Sequence, residues 1–299
     1  MSVIALDVGG TFIKFGLFKD GKIVEKGEVS TPKSSAGEFY QTVSKLIEKR
    51  KDNLKGVAIS LPGFINPKTQ VAVKAGALGY LSGDNIGTEL GKYLDVDVPI
   101  YVENDANCAA IAEKLAGNAQ DVHDFIVVTL GTGVGGAIYV NNKLIHGKNL
   151  STGEFGMMVT DYTKHGFATM HEFASTRALC DEYARKKGYP LGTVEGYQVM
   201  SEIDDPVVQE IVENWSMRVA ICLFNLIVTL DPQRILIGGG ISKNKDILPL
   251  IKDALNKVSN YNDFQTDIED CKFYNDAGLY GAYWAFKDAK SVKNNTETK

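Results

Sequence analysis

The chain carries one strand-loop-hairpin unit twice, each copy with a glycine-rich turn directly after its first strand. In the first copy, residues 3–6 read as a strand and Asp7-Val8-Gly9-Gly10-Thr11 as a loop. A second strand over 14–18 follows, and Asp20-Gly21 turns the chain into a third over 23–29. In the second copy the order is strand 125–130, loop Gly131-Thr132-Gly133-Val134-Gly135-Gly136, strand 137–140, turn Asn141-Asn142 and strand 143–146. Asp7 stands 13 residues before Asp20, and Thr129 stands 13 before Asn142, so the spacing repeats as well. Loops of this kind offer successive backbone N–H groups to anionic oxygens. Two of them in related halves predict two α/β lobes holding a polyphosphate in the cleft between them, the layout of a phosphoryl-transfer enzyme.

The rest of the chain fits helices around two mixed sheets. Apolar spacing predicts a helix over 36–51, and a short strand over 56–61 ends at Pro62-Gly63. A helix over 84–94 and a strand over 100–102 precede Asp105, which stands at the N-cap position of a helix over 106–115. Residues 117–121 read as a hinge. After the second hairpin the chain turns helical, with long helices over 170–187 and 206–230, the latter apolar enough to be central. A buried-type strand over 234–237 runs into Gly238-Gly239-Gly240-Ile241. An amphipathic helix over 247–258, an edge strand over 272–274 and a last helix over 278–289 complete the pattern. The expected division is residues 1–117, residues 118–280, and residues 281–299 as a helix returning to the first lobe with a disordered polar tail from Lys290 to Lys299.

A net charge of −5, with no run of Lys or Arg, argues against general affinity for nucleic acid or anionic membrane. Cys108, Cys180, Cys222 and Cys271 are dispersed, which excludes zinc-knuckle and redox-pair spacings. The sequence opens in its first strand without a signal peptide and shows no run of membrane-spanning length, so the cytoplasm is expected.

Several residues carry chemistry. Thr11 adds a hydroxyl donor to Gly9-Gly10, and Asp7 can hold Mg²⁺ through water. The G-x-G-x-x-G match from Gly131 to Gly136 is not a dinucleotide fingerprint, because a strand rather than a helix follows it. Gly238-Gly239-Gly240 lets a flat ligand such as adenine lie against the backbone. Val102-Glu103-Asn104-Asp105 ends a strand at the edge where open α/β sheets bind ligands. A carboxylate there can orient a substrate hydroxyl for in-line attack and accept its proton, and Asp105 serves equally as a helix cap. In Gly153-Glu154-Phe155-Gly156 a glycine-flanked acid can accept from two vicinal hydroxyls of a sugar.

Together these motifs resemble the ROK family (repressors, open reading frames and kinases), from Ile4-Ala5-Leu6-Asp7-Val8-Gly9-Gly10-Thr11 through Glu103-Asn104-Asp105-Ala106-Asn107 and Gly131-Thr132-Gly133-Val134-Gly135-Gly136 to Ile237-Gly238-Gly239-Gly240. The resemblance implies a two-lobed, actin-like ATPase (ribonuclease H-like) α/β fold with a cleft between the lobes. It implies Asp105 as catalytic base, with Asn104, Glu154, Gly63 and Gly76 at the sugar. Asp7, Gly9, Gly10, Thr11, Lys14, Gly131, Thr132, Gly133, Gly135, Gly239 and Gly240 would form the ATP site, with Mg²⁺ as companion ion and a homodimer as the assembly.

The departures from the family pattern are informative. Met157 stands where most family kinases have a sugar- and zinc-binding His. The Cys-rich zinc loop is missing, since Lys164-His165-Gly166-Phe167-Ala168-Thr169-Met170-His171 has no cysteine, so no zinc is expected. The family's sugar-binding Glu of that loop falls on His171, with Glu172 one step away, and a sugar-side Asn falls on Ala77. This zinc-free pattern is similar to that of bacterial β-glucoside kinases, which phosphorylate the 6-hydroxyl of the non-reducing glucose of cellobiose and related sugars. The vacated space could seat a second sugar against Tyr80 or Phe167. Kinases of glucose, fructose or N-acetylmannosamine are the alternatives. A sugar-responsive repressor is disfavoured because no helix-turn-helix segment precedes the first strand.

Overall fold

The computed structural model describes residues 2–161 and 167–297, with 290–297 by backbone alone. His165 and its neighbours from 162 to 166 lie outside the described residues. The chain divides into two compact units. One comprises Met1–Ala116, His146–Ser151 and Asp276–Lys299, and the other Gly117–Ile145 and Thr152–Asn275.

The first unit is built on strands β1 (Ser2–Val8), β2 (Phe12–Lys19) and β3 (Lys22–Ser30), which form an antiparallel meander. Asp20 and Gly21 both take positive φ, 48° and 84°, the pairing a tight hairpin turn needs to match the strand twist. Helix α1 (Ala36–Glu48) follows, its first turn capped by Ser35 Oγ accepting the Glu38 N–H. Next come β4 (Leu54–Leu61), a small hairpin of β5 (Phe64–Asn66) and β6 (Val71–Lys74) that the sequence pattern did not reveal, and α2 (Ile86–Gly91). The expected helix over 84–94 is shorter because Asn85 caps it. Strand β7 (Ile100–Asn104) leads directly into α3 (Asp105–Ala116). The sheet order is β3-β2-β1-β4-β7, with β1, β4 and β7 mutually parallel. In β1, Val3, Ile4, Ala5 and Leu6 are fully buried, as a central strand covered on both faces requires.

The second unit repeats this plan. Strands β8 (Phe125–Leu130), β9 (Val134–Val140) and β10 (Lys143–Leu144) form the meander, and Asn141 and Asn142 both take positive φ at its turn. A short pair, β11 (Val159–Asp161) and β12 (Ala168–Thr169), precedes the helices. The single helix expected over 170–187 is two, α4 (Met170–Ala174) and α5 (Thr176–Lys187). Ser175 is extended between them and caps α5 by accepting the Ala178 N–H. The buried Trp215 indole N–H fixes the break by donating to the carbonyls of Ala174 and Ser175. Helices α6 (Gly196–Ser201) and α7 (Pro206–Leu230) follow. By length and composition α7 could cross a bilayer, contrary to the expectation that no such run exists. Here Val208, Val212, Trp215, Val219 and Leu223 bury it in the core of the unit. Strand β13 (Arg234–Gly238), helix α8 (Ile247–Asn256) and strand β14 (Asp267–Asp270) complete the sheet in the order β10-β9-β8-β13-β14. The edge strand is therefore 267–270, not 272–274.

Helix α9 (Ala277–Glu297) belongs to the first unit, where Leu279, Ala282, Tyr283 and Phe286 pack with Val3, Ala5, Ala58 and Cys108. The tail expected to be disordered from Lys290 is helical in its backbone through Glu297, for no Gly or Pro interrupts it. Gly281 is the point of closest approach between α9 and α3: a Cβ there would lie 1.8 Å from the Cys108 carbonyl oxygen. Backbone cannot yield as a flexible side chain can. Gly281→Ala should therefore destabilise the fold by about 1–3 kcal/mol, read as a lower urea midpoint at unchanged slope.

Candidate active site

The three parallel strands of the first sheet end in one polar row. Register pairs Asp7 on β1 with Ser60 on β4, and Ser60 with Glu103 on β7. Such a row at the C-terminal ends of parallel strands is where an α/β sheet presents ligand-binding groups. Ser60 Oγ donates to Asp7 Oδ1 at 2.9 Å, and Lys14 Nζ stands 4.0 Å from Asp7 Oδ2. Burial pushes the Asp7 carboxyl above its ordinary value, Asp276 adding to the effect while the Ser60 hydrogen bond and Lys14 oppose it. Gly278 must lack a side chain here, because a Cβ would fall 2.2 Å from Asp7 Oδ1.

Beyond Asp7 the chain turns sharply. Gly9 N–H bonds the Phe12 carbonyl, while Thr31 Oγ1 donates to the Gly9 carbonyl and Thr31 N–H to the Thr11 carbonyl. The carbonyls of Gly9, Thr11 and Phe12 are thus occupied, whereas the N–H groups of Gly10 and Thr11 donate to nothing among the described residues. Both residues are exposed. Successive N–H groups arranged in this way can face an anion. A Cβ on Gly10 would lie 3.2 Å from the Ala77 Cβ, so the place expected to hold a family Asn borders this turn.

Asp105 is exposed at the start of α3. The expectation that it caps this helix is corrected: Asn104 is the cap, its Oδ1 accepting the Asn107 N–H at 3.0 Å. Asp105 Oδ1 instead accepts from Ala106 N–H at 2.8 Å and from Asn104 Nδ2 at 3.0 Å. Asn104 Nδ2 also donates to the Gly63 carbonyl. Gly63 and Gly76 adjoin, both with positive φ, and a Cβ on Gly63 would strike the Lys74 carbonyl oxygen at 2.1 Å. Asn104, Gly63 and Gly76, expected at a sugar, are thus brought together around Asp105, with the Asn104 side chain already committed to the backbone and to that carboxylate.

Sequence reasoning passed over Glu103 and His146. Glu103 is fully buried, with Oε1 accepting from Asn104 N–H and Asn107 Nδ2 and Oε2 lying 2.9 Å from His146 Nε2. It braces the turn that carries Asp105 from within. An acid inside a strand otherwise facing the core was the available signal.

In the second unit the turn after β8 is shorter than the sequence suggested. Gly131 N–H bonds the Gly133 carbonyl, Arg177 N–H bonds the Gly131 carbonyl, and Thr176 Oγ1 holds the Leu130 carbonyl. Thr132 and Gly133 N–H groups donate to nothing among the described residues. Gly135 and Gly136 lie in β9, not in the loop. Gly135 pairs with Thr129, and Gly136 is glycine because a Cβ would sit 2.3 Å from the Phe155 ring. Gly239, at φ 99°, passes so close to β8 that a Cβ would lie 2.1 Å from the Leu130 carbonyl oxygen. Gly240 faces open space and, with Gly131, Thr132, Arg177, Glu195 and Tyr197, lines a cavity of about 300 Å³. A turn with unpaired N–H groups and a cavity lined by Gly131 and Gly240 therefore adjoin.

Glu154 is half-buried before a short 3₁₀ turn, and its carboxylate has no hydrogen-bond partner among the described residues. Glu172 Oε1 accepts the Thr169 N–H, closing the capping box of α4. His171 Nδ1 accepts the Val134 N–H at 3.0 Å. Met157 and Phe167 are exposed, while Tyr80 is held by a hydrogen bond from its hydroxyl to the Pro32 carbonyl. Among the described residues no cluster of three or more His, Cys, Asp or Glu side chains could hold a metal ion, and all four cysteines are free and buried.

The ROK family model matches residues 3–289, and the chain belongs to the ROK family. It is similar to β-glucoside kinases of Listeria innocua (32% identical, covering 96% of this chain and 97% of that protein) and Klebsiella pneumoniae (33% identical, 96% of each). A solved Listeria monocytogenes structure, 31% identical, superposes with a TM-score of 0.87 over 97% of this chain and 100% of that one. The fold is the actin-like ATPase fold of the family's sugar kinases.

The raised Asp7 value has a testable consequence. The folded chain holds that proton more tightly than the unfolded one, so stability falls as pH rises from the ordinary value of 3.8 through the raised one. Ionised Asp7 is a standing cost at neutral pH. Asp7→Asn can keep the Ser60 bond and should melt at or above wild type at neutral pH, the margin shrinking on acidification. Turnover should nonetheless fall by roughly 10²-fold or more, because the charge facing the turn is lost.

Proposed function

We propose that the chain is an ATP-dependent sugar kinase that transfers the γ-phosphoryl group to the 6-hydroxyl of a glucosyl unit, with a β-glucoside such as cellobiose as acceptor. The observation that carries the kinase reading is the recurrence, after β1 and β8, of a turn whose successive N–H groups are left without acceptors, in a unit where β7 delivers Asp105. In this reading Gly10, Thr11, Thr132 and Gly133 bind phosphate oxygens, with Lys14 adding positive charge. Gly240 lines the nucleoside cavity, and Gly239 lets the chain pass close to β8 just before it. Asp105 accepts the proton of the attacking hydroxyl, oriented by Asn104 Nδ2 and Ala106 N–H. Glu154, with no partner of its own among the described residues, takes two sugar hydroxyls. Asn104 would reach the sugar only by giving up one of its present bonds.

Asp7 fits a hard divalent cation, being a carboxylate beside the turn with Oδ1 held by Ser60 and Oδ2 4.0 Å from Lys14. Mg²⁺ arriving with ATP supplies neutralisation of the phosphate charge. The dispersed cysteines and exposed Met157 support a zinc-free enzyme, which elemental analysis checks. A cytoplasmic homodimer is the assembly the family resemblance favours, and light scattering at about twice the chain mass is the expected result.

Similarity to β-glucoside kinases at 32–33% identity supports the acceptor. So do two residues altered from the family pattern: Ala77 beside Gly10, and Met157 in place of His. Each missing hydrogen bond to a hydroxyl costs roughly 0.5–1.5 kcal/mol, so free glucose should be the poorer substrate. A second sugar could recover that by stacking on exposed Phe167. Tyr80 is less available, its hydroxyl being tied to Pro32. Coupled ADP-release assays should give higher kcat/KM for cellobiose or gentiobiose than for glucose. Turnover of N-acetylmannosamine with none on β-glucosides would overturn the acceptor while leaving the kinase.

Asp105→Asn is the sharper experiment. Because Asn104 supplies the cap, the substitution should change stability by no more than about 0.5 kcal/mol. Turnover should drop by on the order of 10²–10⁴ through loss of the proton acceptor.

A further inference from the structure

His171 occupies an unusual place for a half-buried imidazole. Its ring is wedged between two stretches of bare backbone: a Cβ on Gly133 would stand 2.7 Å from Nδ1, and one on Gly156 would stand 2.2 Å from Nδ1 and 2.1 Å from Cε1. Gly133 ends the phosphate-binding turn, and Gly156 follows Glu154 by two residues. Between them Nδ1 accepts the Val134 N–H at 3.0 Å, which requires the neutral tautomer protonated on Nε2. The ring is itself anchored, because α4 begins at the capping box of Thr169 and Glu172. One side chain therefore consumes the N–H that follows Thr132 and Gly133 and fills the gap to the backbone of the Glu154 loop.

We propose that His171 is a positioning residue that locks the phosphate turn 131–133 against the Glu154 loop, so that sugar held by Glu154 and phosphate held by Thr132 and Gly133 order the same piece of backbone. The inference rests on the kinase reading. It assigns His171 to the nucleotide side of the reaction rather than to a direct sugar contact. Two ligands that order one backbone element bind cooperatively, since the second meets a turn already fixed.

The test compares His171→Leu, which fills space without an acceptor, with His171→Asn, whose Oδ1 can stand where Nδ1 does. Loss of one hydrogen bond that sets the turn should raise the KM for ATP roughly tenfold in the Leu variant, with the cellobiose KM at saturating ATP rising as the coupling is lost and the Asn variant restored to within about threefold of wild type. Binding of the non-hydrolysable analogue AMPPNP with Mg²⁺, followed by the rise in melting temperature, should be tightened by cellobiose in wild type and not in His171→Leu. An unchanged ATP KM in the Leu variant overturns the proposal. So does a defect confined to the sugar KM, or an Asn variant no better than Leu. The AMPPNP shift needs no turnover, so it still judges the role of His171 if wild type proves inactive on every sugar, the result that would instead sink the kinase reading.

Discussion

The site depends on what happens where a fully buried central strand runs out. β1 and β8 each lie between an antiparallel partner and a parallel one, and the parallel pairing stops at Asp7 and Thr129, one residue before each strand ends. Beyond that point the chain must reverse within a few residues, and a hairpin that tight leaves successive N–H groups without carbonyl partners. In each unit most carbonyls of the turn are bound elsewhere, by Thr31 in the first and by Thr176 and Arg177 N–H in the second. The N–H groups of Gly10, Thr11, Thr132 and Gly133 find no acceptor among the described residues. The end of a buried strand thereby leaves N–H groups that can face an anion.

The neighbouring parallel strands end level with these turns and supply the rest. Parallel register places Asp7, Ser60 and Glu103 in one row, which is why a carboxylate, a hydroxyl that steadies it and an acid that braces the next turn all sit together. Glu103 and Asn104 hold the Asp105 turn through hydrogen bonds from inside the protein. Asp105 itself stays at the surface. Rigidity below and exposure above would suit the proton acceptor proposed for this position. The second unit applies the same economy, with glycines at 133, 156 and 239 admitting close contacts that any side chain would block.

Local chemistry was legible wherever a residue type is forced by its own backbone. The hairpins at Asp20-Gly21 and Asn141-Asn142 were readable because positive φ selects Gly, Asn and Asp. The glycine turns, the long apolar helix over 206–230 and the strand before Gly239 were readable for similar reasons. The break at Ser175 was not, because an indole from a distant helix enforces it and the local helical spacing runs straight through. The β5–β6 hairpin was missed because strands of three and four residues carry too short a pattern. Gly135 and Gly136 were assigned to a loop because composition cannot distinguish a glycine that bends the chain from one that makes room for Phe155.

The duplicated plan, the two glycine-rich turns, the family and the acids that chemistry would draw on are legible in the chain, for each is written in contiguous residues whose spacing is constrained by one strand and one turn. Only the tertiary structure decided which side chains are already spent. Asn104 rather than Asp105 caps α3, Glu172 closes a helix end, Glu103 is buried against His146, and His171 is tied to Val134. A polar side chain can satisfy itself locally or face a ligand, and residue type is compatible with both. The choice falls to whichever donors folding brings within about 3 Å, and those donors come from elsewhere in the chain.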